Sequence, residues 1–174
     1  MRFHHMCIVT SDIHEAVHFW RDLMGFDLVV DVMIIPDGPE PAPNIMASQR
    51  LLDDLYKVKG ARSKLAVLNS KEGALIELLQ PENPSVQKTP KENLRYGHTG
   101  IHELGLSTTN IDAFFQKVRA AGYETQTEYV WDSSTFGRTF LFYDKDGNLI
   151  QMWEGKDASQ INWEEGGVKK VAAE

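Results

Sequence analysis

SKLAVLNSKEGALIELLQ (63–80) and GRTFLFYDKDGNLIQMWE (137–154) lie against each other without a gap. Lys71-Glu72-Gly73 falls on Lys145-Asp146-Gly147, and Ile76-Glu77-Leu78 falls on Ile150-Gln151-Met152. Each stretch reads as two strands joined by a hairpin turn, with Gly where a positive φ is needed. A chain that repeats itself is read as two copies of one unit.

The repeat extends upstream of both stretches. FHHMCIVT (3–10) alternates in the manner of a strand, with His5, Cys7 and Val9 on one face and Met6, Ile8 and Thr10 on the other. Asp12 then opens a helix in a capping-box pattern with Glu15. Ile13, Ala16, Val17, Trp20, Leu23 and Met24 recur at helical spacing, and Gly25 ends the helix. FDLVVDVMII (26–35) is the next predicted strand. In the second half ELGLSTT (103–109) alternates and Asn110 is a helix-cap residue. Ile111, Phe114, Phe115, Val118 and Ala121 form an apolar stripe up to Gly122, and YETQTEYVW (123–131) reads as a strand. Each half is therefore strand, helix, strand, strand, strand.

These boundaries predict a first module over 1–81, a polar linker over 82–100, a second module over 101–155 and a mixed-charge tail over 156–174. Together they make one domain. The first module carries an insertion, 36–60: a Pro-rich loop, PDGPEPAP, followed by an extra helix within 46–60 that Gly60 stops.

Composition narrows the function classes. The chain has 174 residues, 42% of them hydrophobic, which suffices for one ordinary core. A net charge of -7 argues against nucleic-acid binding, which rests on Lys and Arg neutralising phosphates. A single cysteine, Cys7, allows no internal disulfide, and neither a signal peptide nor a membrane span is visible. The expectation is a cytoplasmic protein with a small-molecule substrate and no membrane or nucleic-acid partner.

The repeat superimposes four polar residues on predicted inner strand faces: His5 and Glu77 from module one, Glu103 and Gln151 from module two. Buried, such groups are costly unless they are paired or bind a metal. Two modules related by a pseudo-two-fold axis would bring the four together. Imidazole, carboxylates and an amide oxygen suit one divalent cation: Zn, Ni, Mn, Fe or Co. The third position has two competing alignments. Counting back from Gly122 by the module-one spacing lands on His102; strand parity and the Asp12/Asn110 caps land on Glu103. Parity carries more weight, because a one-residue slip turns every side chain over. Glu103 is then the third member, and His4 and His102 face the other way.

His5 with MCIVTSDI and HEAVHFWRDLMGF, GALIELLQP, and DKDGNLIQMWE resemble the vicinal oxygen chelate superfamily of glyoxalases, bleomycin-resistance proteins and dioxygenases. The likeness spans residues 3–154. GARSKLAVLNSKEGALIELLQP is also similar to the cyclitol (valiolone-type) epimerases. The resemblance implies an α+β fold of two tandem βαβββ modules forming a glyoxalase-like half-barrel around one metal, in a homodimer. It implies His5, Glu77, Glu103 and Gln151 as ligands, where the family more often has His at the third position and Glu at the fourth.

The implied chemistry is that of an isomerase or epimerase. A substrate with vicinal oxygens chelates the metal, and a carboxylate moves its α-proton by way of an enediolate. Glu103 is the first candidate base and Glu77 the second. The alternatives are a glyoxalase-like lyase, an extradiol dioxygenase, and a non-catalytic, drug-sequestering binding protein of the same fold. Arg138 and Tyr56 are further candidates for contact with an anionic or hydroxylated substrate. Cys7 and the His14/His18 pair read as a small packed residue and a solvated helix face.

Overall fold

The computed structural model describes residues 3–133, 136–157 and 160–162. The chain divides into two compact units, Met1–Thr89 and Pro90–Glu174. The tail predicted from 156 onward lies mostly outside the described residues.

In the first unit the strands are β1 (His5–Val9), β2 (Asp27–Ile35), β3 (Arg62–Asn69) and β4 (Leu75–Asn83), in the order β1-β4-β3-β2. In the second unit β5 (Glu103–Ser107), β6 (Trp131–Ser133), β7 (Gly137–Tyr143) and β8 (Leu149–Gly155) repeat that order as β5-β8-β7-β6. The outer pair β1/β4 is parallel, as is β5/β8, and the other pairings are antiparallel. The two hairpin glycines hold the predicted positive φ, 86° at Gly73 and 90° at Gly147. The predicted order of elements is therefore present twice.

The copies share small devices. In α1 (Ile13–His18) the Asp12 carboxylate accepts from the amides of His14 and Glu15. In α3 (Ile111–Ala120) Asn110 accepts from Ala113. The first amide of each helix is bound from the last strand of its own unit. Ile13 N–H donates to Gln80 Oε1 and Ile111 N–H to Glu154 Oε1, both at 3.1 Å, and Gln80 and Glu154 are repeat equivalents. Such caps satisfy amides that have no partner within the helix.

The helices differ in one respect. α1 runs straight into a π-helical turn, Phe19–Leu23, where the sequence reading has one continuous α-helix. Counted from the terminal glycine, each closing hydrogen bond of this turn spans one residue more than its counterpart in α3. Met24 N–H reaches Phe19 O, Gly25 reaches Arg21 O and Phe26 reaches Trp20 O. In α3 the counterparts are Ala121 to Lys117, Gly122 to Arg119 and Tyr123 to Val118. A π turn holds one extra residue without breaking the helix. It also turns consecutive aromatics inward. Phe19 and Trp20 are 3% and 1% exposed, and Trp20 meets Phe19 and Phe26 edge-on.

The cores follow strand alternation. Ala66, Leu68, Ile76 and Leu78 are buried on the face that α1 covers. The other face of the same sheet carries Leu65, Val67 and Leu79. These pack with Ile35 of β2 and with Ala47 and Leu52 of the insertion. The extra helix is α2 (Gln49–Tyr56), capped by Ser48. It stops at Lys57, which takes the left-handed conformation (φ 56°), before Gly60 is reached. In the second unit Phe115 and Phe142 pack against Phe140.

The predicted strand 123–131 is a correction. Only Trp131–Ser133 is a strand. Residues 124–126 touch β7 through a single bridge, Thr125 to Phe142, made by two backbone bonds, Gln126 N–H to Leu141 O and Tyr143 N–H to Glu124 O. The segment is an edge, rich in polar residues, and an edge tolerates extra residues because only one side is paired. β2, its counterpart, absorbs its own irregularities as two bulges without breaking.

Candidate functional site

Strand register settles which residues are equivalent. His5 pairs with Leu75 and Cys7 with Glu77; Glu103 pairs with Leu149 and Gly105 with Gln151. Leu75/Leu149 and Glu77/Gln151 are equivalents in the ungapped repeat. Glu103 is therefore the counterpart of His5. The competing count to His102 is off by one because of the extra residue in the π turn.

In the first unit His5 Nε2 stands 3.5 Å from Glu77 Oε2. Neither side chain is deeply buried, at 44% and 32% exposed. The expectation of a costly inner-face burial is thus corrected: this face of β1 is open. His4 is a second correction. It lies just before β1 begins, so alternation does not bind it, and its Nδ1 lies 2.7 Å from His5 Nδ1. One of the two nitrogens donates. A proton on His4 Nδ1 leaves the His5 N–H at Nε2, aimed at the Glu77 carboxylate. Cys7, beside Glu77, has its thiol pushed up to about 11 by burial of the sulfur and then by the Glu77 charge. It stays protonated at neutral pH, but Cys7 is exposed on this open face, which corrects its reading as a small packed residue.

In the second unit Tyr96 donates a hydrogen bond to Glu103 Oε2. The Tyr96 hydroxyl is pushed up to about 12, by burial and then by that bond. His102 turns its ring nitrogens to the carbonyls of Leu94 and His98 and lays its ring against Tyr96. Gln151 Oε1 lies over Gly105, where a Cβ would approach it to 3.4 Å. The missing side chain leaves room above that amide oxygen.

Arg138, a candidate for anion contact, is occupied. Its guanidinium forms a two-pronged pair with Asp112 and lies near Asp132 and Glu154. The buried Tyr56 hydroxyl has no well-formed hydrogen bond among the described residues, with Ser63 its polar neighbour. Burial raises its pKa.

A groove in the first unit went unpredicted. It has a volume of about 270 Å³, and the His4, His5 and Glu77 side chains line it together with apolar residues of β3, β4 and the insertion. Its wall includes Met46, Leu51 and Leu55, each at least half exposed. The signal was present in the insertion, where Leu51, Leu52 and Leu55 are more apolar than one helix face needs.

Two βαβββ units with strand orders repeated in register, each presenting polar groups from its parallel strand pair, define a tandem-module α+β protein. The sequence matches the Glyoxalase/Bleomycin resistance protein/Dioxygenase superfamily over residues 2–152, and the chain belongs to that superfamily. Among solved structures it is similar to a glyoxalase family protein from Bacillus cereus, with a TM-score of 0.73 at 16% identity, covering 90% of this chain and 95% of that one. It is similar to the fosfomycin resistance protein FosX from Listeria monocytogenes, solved with Mn(II) and a dihydroxypropylphosphonic acid: TM-score 0.56, 13% identity, 92% and 98% covered. It is also similar to TnmS3, an antibiotic binding protein from Streptomyces sp. CB03234: TM-score 0.52, 18% identity, 90% and 97% covered. At these identities the likeness establishes the fold. No curated protein matches the chain significantly. No helix among the described residues is long and apolar enough to cross a membrane.

Proposed function

We propose that the chain is a metal-dependent isomerase or epimerase acting on a small molecule with vicinal oxygens. His5, Glu77, Glu103 and Gln151 would hold one divalent ion, and the chain would act as a homodimer in the cytoplasm.

The observation that carries this reading is the His5–Glu77 spacing. Two ligand atoms, each about 2.1 Å from one tetrahedral ion, are separated by about 3.4 Å. His5 Nε2 and Glu77 Oε2 stand at 3.5 Å. Among the described residues no three His, Cys, Asp or Glu side chains cluster; the first unit supplies the His5–Glu77 pair. The donor chemistry suits the ion. Imidazole, two carboxylates and an amide oxygen serve borderline and hard divalent cations. Binding at Nε2 leaves His5 Nδ1–H to donate to His4, the kind of outer contact that orients a ligating imidazole.

The ion, when bound, supplies positive charge for the negative charge that develops on the substrate's adjacent oxygens. The chain moves the proton. Glu103 accepts the α-proton on its carboxylate, with Glu77 as the second candidate. Tyr96 holds Glu103 through Oε2 and leaves Oε1 without that partner, for the ion or the proton. Gln151 orients but takes no proton. Return of the proton from Glu103 to the neighbouring oxygen-bearing carbon gives isomerisation; its replacement on the original carbon from the opposite face, by Glu77 or a water, gives epimerisation.

A non-catalytic, small-molecule-binding role is the second reading, favoured by the apolar groove. Lyase and dioxygenase chemistry on the same residues rank lower. Elemental analysis of the purified chain, run beside His5→Ala and Glu103→Ala, separates the metal-dependent reading from the binding role. The proposal expects about one divalent ion per chain, lost in both variants. No metal after reconstitution with Ni²⁺, Zn²⁺, Mn²⁺ or Fe²⁺ leaves the binding role.

A further inference from the structure

The polar pair of the first unit lines, with His4, a groove that is otherwise apolar. We propose that this groove receives the uncharged, apolar body of the ligand. On this reading the substrate is a small molecule with an aromatic or branched-alkyl body and vicinal oxygens at one end, and Met46, Leu51 and Leu55 are its specificity-determining residues. This rests on the reading of His5 and Glu77 as the oxygen-binding end.

Three features support this ligand class. The first is composition. Beside His4, His5 and Glu77, the groove is lined only by Ile, Leu, Val, Met and Ala side chains. No Lys or Arg is among them, so a phosphonate or carboxylate tail finds no counter-charge on this wall. A polyhydroxylated ring fares no better, because each hydroxyl laid against Leu or Val loses water without gaining a partner. A cyclitol is therefore a poor fit. The second feature is size. At about 270 Å³ the groove lies near the lower end of the ~300–1,000 Å³ usual for small-molecule sites. That is room for a ring or a short branched chain, and too little for a docked helix. The third is how the wall is built. α2 commits Leu52 (1% exposed) to the core with Ile35, Ala47 and Leu65. Leu51 and Leu55, one helical turn apart, are left 54% and 58% exposed along the groove, with Met46 at 50%. The buried leucine anchors the helix and the exposed pair is presented to the groove.

The test uses the full chain and an uncharged apolar dye, N-phenylnaphthylamine, whose fluorescence rises on binding. Leu51→Ser/Leu55→Ser changes two exposed positions and leaves Leu52 in place, so folding and metal content are expected to persist. The dye is expected to bind the metal-free wild type and to bind the double variant about tenfold or more weakly, the scale set by losing a few buried methylenes. In the metal-loaded protein benzohydroxamate is expected to bind about tenfold tighter than acetohydroxamate, and the double variant to erase that preference. Equal dye binding by both proteins overturns the proposal. So does a lack of dye binding with substitutions that instead dissociate a dimer in sedimentation, which makes the leucines an interface. Failure of both hydroxamates with dye binding intact counts against the metal reading and leaves the apolar site standing.

Discussion

Glu103 holds in the second sheet the register position that His5 holds in the first: each is the first residue of its strand and pairs with a repeat-equivalent leucine, Leu149 or Leu75. The adjacent His102 is held by the carbonyls of Leu94 and His98. If the site is built from equivalents, Glu103→Gln lowers metal content and His102→Ala leaves it at the wild-type value. Elemental analysis of the two variants side by side checks this. Metal lost from His102→Ala and kept in Glu103→Gln would reverse the assignment.

Gln151 stands where module one has Glu77. A carboxylate adds charge to the same donor position, so Gln151→Glu is expected to tighten divalent-metal binding by roughly tenfold. Competition against a fluorescent chelator measures it. Unchanged or weaker affinity would place the residue 151 side chain off the ion.

Two carboxylates hold the insertion in place. Asp37 accepts from the Met46 and Ala47 amides and Asp53 from the Ala61 amide and Gln49, and these bonds hold both acids below their ordinary range. A lowered carboxylate adds stability above its unfolded-state value and loses it as pH falls through the native one. The groove wall is therefore expected to loosen below about pH 4, seen as faster amide exchange at Met46, Ala47 and Ala61. Asp37→Asn with Asp53→Asn should flatten that dependence. A wall whose protection against exchange is lost identically in the double variant would show that other groups control it.

The π turn is read as one inserted residue. Deleting Asp22, which is exposed and paired with His18 and Arg21, should leave a cooperatively folding chain at a cost of about 1–3 kcal/mol. Trp20→Ala, which empties a site 1% exposed, should cost about 3–5 kcal/mol. Chemical denaturation followed by circular dichroism separates them. A deletion at least as costly as Trp20→Ala would show that the turn is required for packing.

The repeat, the helix caps, the hairpin glycines and the order of strands were legible in the chain because they depend on local contacts. Capping, turn geometry and face alternation act over a few residues, and a second half of the same pattern repeats each signal. The pairing of His5 with Glu103 was legible for the same reason, since parity along a strand is local.

What only the tertiary structure decided involves residues held by distant partners. His4 turns to His5 because it precedes the strand and is free of its alternation. Arg138 is taken up by Asp112, which lies far off in sequence. The 123–131 edge breaks because a single paired side leaves too few bonds to hold its polar residues extended. The groove exists because an inserted helix lies across a sheet face and has more leucines than the core beneath it can bury. Local pattern determined the units and their equivalent residues. Packing over long sequence separations decided which of those residues were left open to a ligand.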